Sequence, residues 1–170
     1  MDLYPLKLHL EIPLTDESRD TELNSLLERA KQKLINALGY KFDLTAVDVT
    51  ERYSLRKYLY PTYRPITSVT SVKYNDSLLT AGTDYVVYTR YIKFIDEYAN
   101  EDGIDDHIDL VYKGGYSLTS EEYKAYTDVM CKIVAYWLDM KKSLLPQQYA
   151  DRRMPQEIEE NIWTLQDKVF

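Results

Sequence analysis

The sequence predicts an α+β protein: two main helices packed on an inserted antiparallel β-sheet, with a C-terminal amphipathic helical arm. Three observations predict it. Two long segments carry apolar residues at the three-four spacing of a single buried helix face. The chain between them is rich in β-branched and aromatic residues and is broken by turn signals. A third, shorter apolar stripe follows Pro155 near the end of the chain.

The first segment, Leu6-Lys7-Leu8-His9-Leu10-Glu11-Ile12 between Pro5 and Pro13, alternates apolar and polar residues and reads as an N-terminal strand. The first main helix follows from Leu23, Leu26, Leu27, Ala30, Leu34, Ala37 and Leu38. Asp20 or Thr21 is its expected cap, and Gly39 its expected left-handed stop. Tyr40 and Phe42 then return as apolar plugs.

Strands are expected from Val47 toward Leu55, at Tyr58-Leu59-Tyr60, from Ile66 to Tyr74, from Tyr85 to Tyr88, from Tyr91 to Ile95, and around Ile108, Leu110 and Tyr112. Asn75-Asp76 and Ala81-Gly82-Thr83-Asp84 are turn signals. The segment 96–109 holds Asp96, Glu97, Glu101, Asp102, Asp105, Asp106 and Asp109 with no Lys or Arg, and reads as a solvated hairpin loop. Thr119 and Glu122 have capping-box spacing. They precede the stripe Tyr123, Tyr126, Val129, Met130, Ile133, Val134, Trp137 and Leu138. After Pro146 a polar connector leads to Pro155 and a last helix with Ile158, Ile162, Leu165 and Val169 on one face. The expected organisation is a body over 1–146 and an arm over 147–170.

The chain has 170 residues and carries 21 Lys/Arg against 28 Asp/Glu, a net charge of −7. That balance disfavours a grip on phosphate backbones. No apolar run is long enough to span a bilayer, and the N-terminus lacks the basic-then-apolar pattern of a secretory signal. One cysteine rules out an internal disulfide framework. The unusual figure is 17 tyrosines against 3 phenylalanines and 2 tryptophans. Tyrosine pairs an apolar ring with a polar tip and is enriched where surfaces meet.

No catalytic constellation emerges. Cys131 sits in an apolar helix beside Met130, where burial keeps it a thiol. No serine lies on a glycine-flanked elbow, and five glycines cannot supply a phosphate-binding loop. His9 and His107 are expected to be solvated, and no metal or cofactor is expected. Within the acidic segment Asn100, Asp102, Gly103 and Asp109 match EF-hand positions, but Tyr98 occupies the first. Weak calcium binding there stays an open alternative. Arg52, Arg56, Lys57 and Arg64 interleave with Tyr53, Tyr58, Tyr60 and Tyr63; with this net charge, that strip reads as a protein contact rather than a nucleic-acid site.

Several short motifs occur in a telling order. Ile12-Pro13-Leu14-Thr15-Asp16 leads into the helix Leu23 to Leu38, which ends in Gly39-Tyr40-Lys41-Phe42. Arg64-Pro65-Ile66-Thr67-Ser68-Val69 gives a Pro-Ile-x-x-Val strand, and Gly82-Thr83-Asp84-Tyr85 a Gly-x-Asp-Tyr turn. Val111-Tyr112-Lys113-Gly114-Gly115-Tyr116 closes the β region before the long helix from Ser120 to Lys142. From Ile12 to Lys142 this order resembles the head–tail connector (adaptor) proteins of tailed bacteriophages, which form a ring beneath the portal.

The resemblance implies a structural virion protein with no catalysis. It implies a homo-oligomeric ring, commonly of about twelve copies, with head-to-tail contacts around a channel. The implied partners are the portal protein on one side and a stopper or tail protein on the other, with DNA passing through unread and no membrane. The implied location is the virion neck, reached from the host cytoplasm during assembly. The arm, through Ile158, Ile162, Trp163, Leu165 and Phe170, is the expected portal contact. Tyr58, Tyr60, Tyr63 and Arg64 are the expected ring or neck contact. The alternatives are a phage tail component and a small Tyr-rich carbohydrate- or protein-binding module.

Overall fold

The computed structural model describes residues 3–42, 48–95, 107–117, 120–143 and 154–167. Helices α1 (Tyr4–His9), α2 (Asp20–Leu38), α3 (Glu121–Ser143) and α4 (Gln156–Asp167) form one compact unit. The other unit contains β1 (Val49–Ser54), β2 (Tyr58–Leu59), β3 (Ile66–Tyr74), β4 (Ser77–Leu78), β5 (Tyr85–Val87), β6 (Ile92–Phe94) and β7 (His107–Gly114). The α+β class holds, with two main helices, a C-terminal helix and antiparallel sheets inserted in the chain between α2 and α3. The expected body–arm boundary at 146/147 lies outside the described residues.

The N-terminal segment is the clearest correction: it is a helix, not a strand. The alternation from Leu6 to Ile12 is short, and both periods bring Leu6 and Leu10 to one side; the helix, Tyr4–His9, covers only its first part. Pro5 occupies the first helical turn, where its fixed φ and missing N–H are harmless. In the helix Leu6 and Lys7 point inward, while Leu8 is exposed. The helix ends in a paired turn: Glu11 N–H donates to Leu8 O, Ile12 N–H donates to Lys7 O, and Glu11 takes φ 56°.

Lys7 explains why this helix is anchored. It is a buried charge, 4% exposed. Its Nζ pairs with Asp20 Oδ1 at 2.7 Å and donates to Asp16 O at 2.9 Å. A buried ammonium is tolerated only with such partners. Asp20 is thereby committed to Lys7 instead of acting as the expected cap; Arg19 takes the N-cap position of α2 without a side-chain bond. Leu23, Leu27, Ala30, Leu34 and Leu38 are buried along α2, and Gly39 closes it at φ 74°. In α3, Tyr123, Tyr126, Val129, Met130, Ile133, Val134 and Leu138 are buried as spaced. Trp137 is half-buried, with the Arg29 guanidinium 5.5 Å from its ring centre. Helix α4 packs along α3 and α2. The capping-box residue Thr119 lies outside the described residues.

In the β unit, β7 is central to a four-stranded antiparallel sheet of order β1-β7-β3-β4, beside a second sheet of order β2-β6-β5. Strand β7 alternates cleanly, burying Ile108, Leu110 and Tyr112. With Val72, Leu59, Ile92, Phe94 and Tyr85 they make one core shared by both sheets. Asn75 and Asp76 both take positive φ in the expected tight turn. Tyr40 and Phe42 are buried as plugs, and Tyr116 N–H donates to Phe42 O. Residues 96–106 of the acidic segment lie outside the described residues, and so does most of the calcium pattern. His107 to Asp109 belong to β7 rather than to a loop.

The two ends of the Lys7–Asp20 pair should respond differently. Asp20→Ala strands a buried ammonium and should cost about 3 kcal/mol, whereas Lys7→Met, which removes the charge and keeps an apolar stem, should cost less. Urea midpoints of both variants check the order.

Candidate protein-contact site

The expected contact residues Tyr58, Tyr60, Tyr63 and Arg64 all lie in the β unit, on the link between β1 and β3. That link is held from three directions. Lys41 N–H donates to Thr62 O, and Arg64 N–H donates back to Lys41 O, both at 2.8 Å. Tyr63 N–H donates to the hydroxyl of Tyr112, on β7, at 2.9 Å. Glu51, on β1, accepts from the Tyr53 and Tyr112 hydroxyls and from Thr62 N–H. Burial, then Glu51, pushes the Tyr53 and Tyr112 phenols well above their ordinary value. Both therefore stay protonated as donors.

Gly114 completes the seat. A Cβ there would stand 2.6 Å from Tyr63 O and 3.0 Å from the Tyr112 ring. Only glycine lets the link approach β7 this closely.

The link presents a tyrosine cluster. Tyr58 and Tyr60 are exposed, and each meets Tyr91 with ring centres 5.7 Å apart. Tyr88 stacks on Tyr91 at 4.6 Å with 22° between planes. Such contacts contribute about 0.5–1.5 kcal/mol each beyond simple burial. Arg64 lies against this cluster, its Cζ 5.4 Å from the ring centres of both Tyr40 and Tyr60. Tyr63 points elsewhere, toward Lys41, whose Nζ is 5.0 Å from its ring centre.

The structure therefore joins Tyr58, Tyr60 and Arg64 and sets Tyr63 apart. Tyr88 and Tyr91, absent from the sequence expectation, form the middle of the cluster. They flank the Thr89-Arg90 tip of the β5–β6 hairpin, where Tyr88 N–H donates to Tyr91 O. The pairing of Tyr58 with Lys93 and Leu59 with Ile92 carries this tip beside the link.

The arm residues divide differently. Ile158, Ile162 and Leu165 are buried within the helical unit, and Trp163 is 66% exposed. Phe170 lies outside the described residues. Met154, Gln156, Glu159, Glu160 and Trp163 line an open depression on α4.

Other chemistry is confined. His9 is exposed, but His107 is half-buried rather than solvated. Asp76, His107 and Asp109 bring potential ligand atoms within 4.8 Å of one another. Asp109 is already engaged: Arg52 Nε and Nη2 donate to its two oxygens at 2.6 and 2.8 Å. Those hydrogen bonds, with the charges of Arg52, His107 and Lys73, hold the Asp109 carboxyl below its usual value. Cys131 is buried, and burial pushes its thiol up to about 11.

The chain is similar in fold to chains of gene transfer agent particles. One belongs to the neck of an empty particle, computed with C6 symmetry, and superposes with a TM-score of 0.67 and 12% identity. Another belongs to the virion of the native particle, with a TM-score of 0.68 and 10% identity. Each match covers 97% of this chain and 88% of the other. No family model matches the sequence, and no curated protein matches it. The resemblance to neck and connector proteins holds at the level of the fold.

Two outcomes follow from this geometry. Gly114→Ala should destabilise the protein by about 1–3 kcal/mol, because the new methyl meets backbone that must move; thermal melting measures it. Asp109, with its lowered pKa, contributes stability that is complete above about pH 4, the unfolded value, and fades as pH falls through the lower folded value. Asp109→Asn should therefore be less stable than the parent at pH 7, with the gap narrowing as pH falls below about 4, the unfolded value. Urea titrations above and below that value check this.

Proposed function

We propose that this chain is a structural subunit of a virion neck: an adaptor that assembles into a ring and joins a portal to a stopper or tail. The observation that carries this reading is the fold shared with a chain of a gene transfer agent neck over 97% of the present chain. The net charge of −7 fits a ring through which DNA passes without being held.

Within this reading, Tyr58, Tyr60 and Arg64, joined by Tyr88 and Tyr91, form the contact to the next subunit or to the neck. Their residue types are those that dominate binding energy at protein interfaces. Tyr63 stands at the margin of that surface. The portal contact falls on the outer face of α4 around Trp163, since Ile158, Ile162 and Leu165 serve the core of the helical unit. No step of catalysis enters this reading.

A sugar-binding module would need open aromatic faces, and a sugar-dependent thermal shift of a monomer would favour it. Here one face of Tyr88 and one of Tyr91 are stacked on each other.

Mass photometry of the protein, with and without its portal ring, tests the proposal. Many copies should add to each portal ring, and Tyr60→Ala combined with Arg64→Ala should weaken that addition at least about tenfold. No association at micromolar concentration would overturn the adaptor reading.

A further inference from the structure

Arg64 is a cation in an unfinished environment. It is half-buried, and its guanidinium carbon lies 5.4 Å from the ring centres of both Tyr40 and Tyr60. Its Nε donates to Pro61 O at 2.9 Å, which fixes the plane of the group. Among the described residues no carboxylate pairs with it. Burial, and then the charge of Arg90, lower its pKa, so the surroundings penalise the charge that it carries. A guanidinium beside aromatic rings, bonded only through Nε among the described residues, has terminal N–H groups that can grip a carboxylate in a two-pronged pair.

The chain contains a matching anion. Residues 96–106 carry Asp96, Glu97, Glu101, Asp102, Asp105 and Asp106 and no Lys or Arg. Copies with a net charge of −7 repel one another unless an acidic part of one meets a basic part of the next. The tyrosine cluster and the acidic segment are different stretches of the chain, so a contact of one with the other between two copies is head-to-tail. It propagates from copy to copy instead of stopping at a pair, and it closes as a ring where the rotation between copies allows.

We propose that the Arg64–Tyr60–Tyr91 surface receives a carboxylate from the acidic segment, residues 96–106, of a second copy of this chain. The proposal rests on the ring-contact reading above and names its chemistry. Tyr58 and Tyr88 shield the ion pair from water, and Arg64 supplies the directional bonds. Salt screens the attraction between the acidic segment and Arg64 as the copies approach, so this contact strengthens as ionic strength falls.

Complementary variants test it. Arg64→Ala keeps the acidic segment. A second variant, carrying D96N, E97Q, E101Q, D102N, D105N and D106N, keeps Arg64. Circular dichroism and melting first establish that both are folded. Each alone should fail to build rings on the portal under conditions in which the parent succeeds. Mixed, they should give a one-to-one heterodimer and nothing larger, because only one contact can form. A labelled peptide spanning 95–107 should bind the parent at least about tenfold more tightly than Arg64→Ala, by fluorescence anisotropy. If the neutralised variant builds rings like the parent, the segment is not the occupant, although the adaptor reading stands. If the mixture gives no heterodimer, or the peptide binds both proteins equally, the pairing between copies is overturned. If the parent itself never adds to the portal, both the adaptor reading and this proposal fall.

Discussion

The β unit depends on where one carboxylate sits. Glu51 reaches across from β1 and collects two phenolic hydroxyls and one backbone N–H. Remove that acceptor and the Tyr53 and Tyr112 hydroxyls and Thr62 N–H lose it together, at a cost of about 1–3 kcal/mol for each donor left buried and unsatisfied. The Tyr112 hydroxyl is used twice, donating to Glu51 and accepting from Tyr63 N–H. One short chain of hydrogen bonds thus links β1, β7 and the irregular stretch before β3. The irregular stretch has no ladder of its own, so these bonds replace one. The direction in which Tyr60 and Arg64 face is set by this arrangement.

The abundance of tyrosine acquires a physical meaning from the same contacts. Tyr40, Tyr85, Tyr112, Tyr123 and Tyr126 are buried, where phenylalanine would satisfy the core equally well in volume. For Tyr112 the hydroxyl is the reason, because it stitches a strand to a loop. Tyr58, Tyr60 and Tyr88 do the opposite: their rings pack on Tyr91 at the surface and remain exposed. Burial and the tyrosines around it raise the Tyr91 phenol above its ordinary value, the mark of a crowded apolar setting outside the core. One residue type therefore serves both as internal strut and as an exposed cluster of packed rings.

Much of this architecture was legible in the sequence because it is local. The stripes of α2 and α3, the span Ile66 to Tyr74 and the Asn75-Asp76 turn each depend on residues a few positions apart. The N-terminal helix was not legible. Its decisive partner for Lys7 is Asp20, in another element, and seven residues of alternation from Leu6 to Ile12 cannot outvote a buried ion pair. The contact site was half legible for a related reason. Tyr58, Tyr60 and Arg64 stand close together in the chain, but Tyr88 and Tyr91 arrive through the register of β2 on β6. Nothing in the local pattern around Thr89-Arg90 announces that register. Gly114 stands in the motif that closes the β region; its purpose, making room for Tyr63 O, depends on a segment about fifty residues earlier.

The position of Cys131 has a consequence for any assembly built from many copies of this chain. Identical subunits crowd identical groups together, so a surface thiol would face its twin at high effective concentration. Air oxidation would then tie neighbours by covalent bonds in whatever register they first met. Cys131 is enclosed in α3, and its thiol is held at about 11, far from the thiolate that starts such exchange. In such an assembly this thiol would not lock neighbours together, and a misplaced subunit could leave and be replaced before the structure is complete.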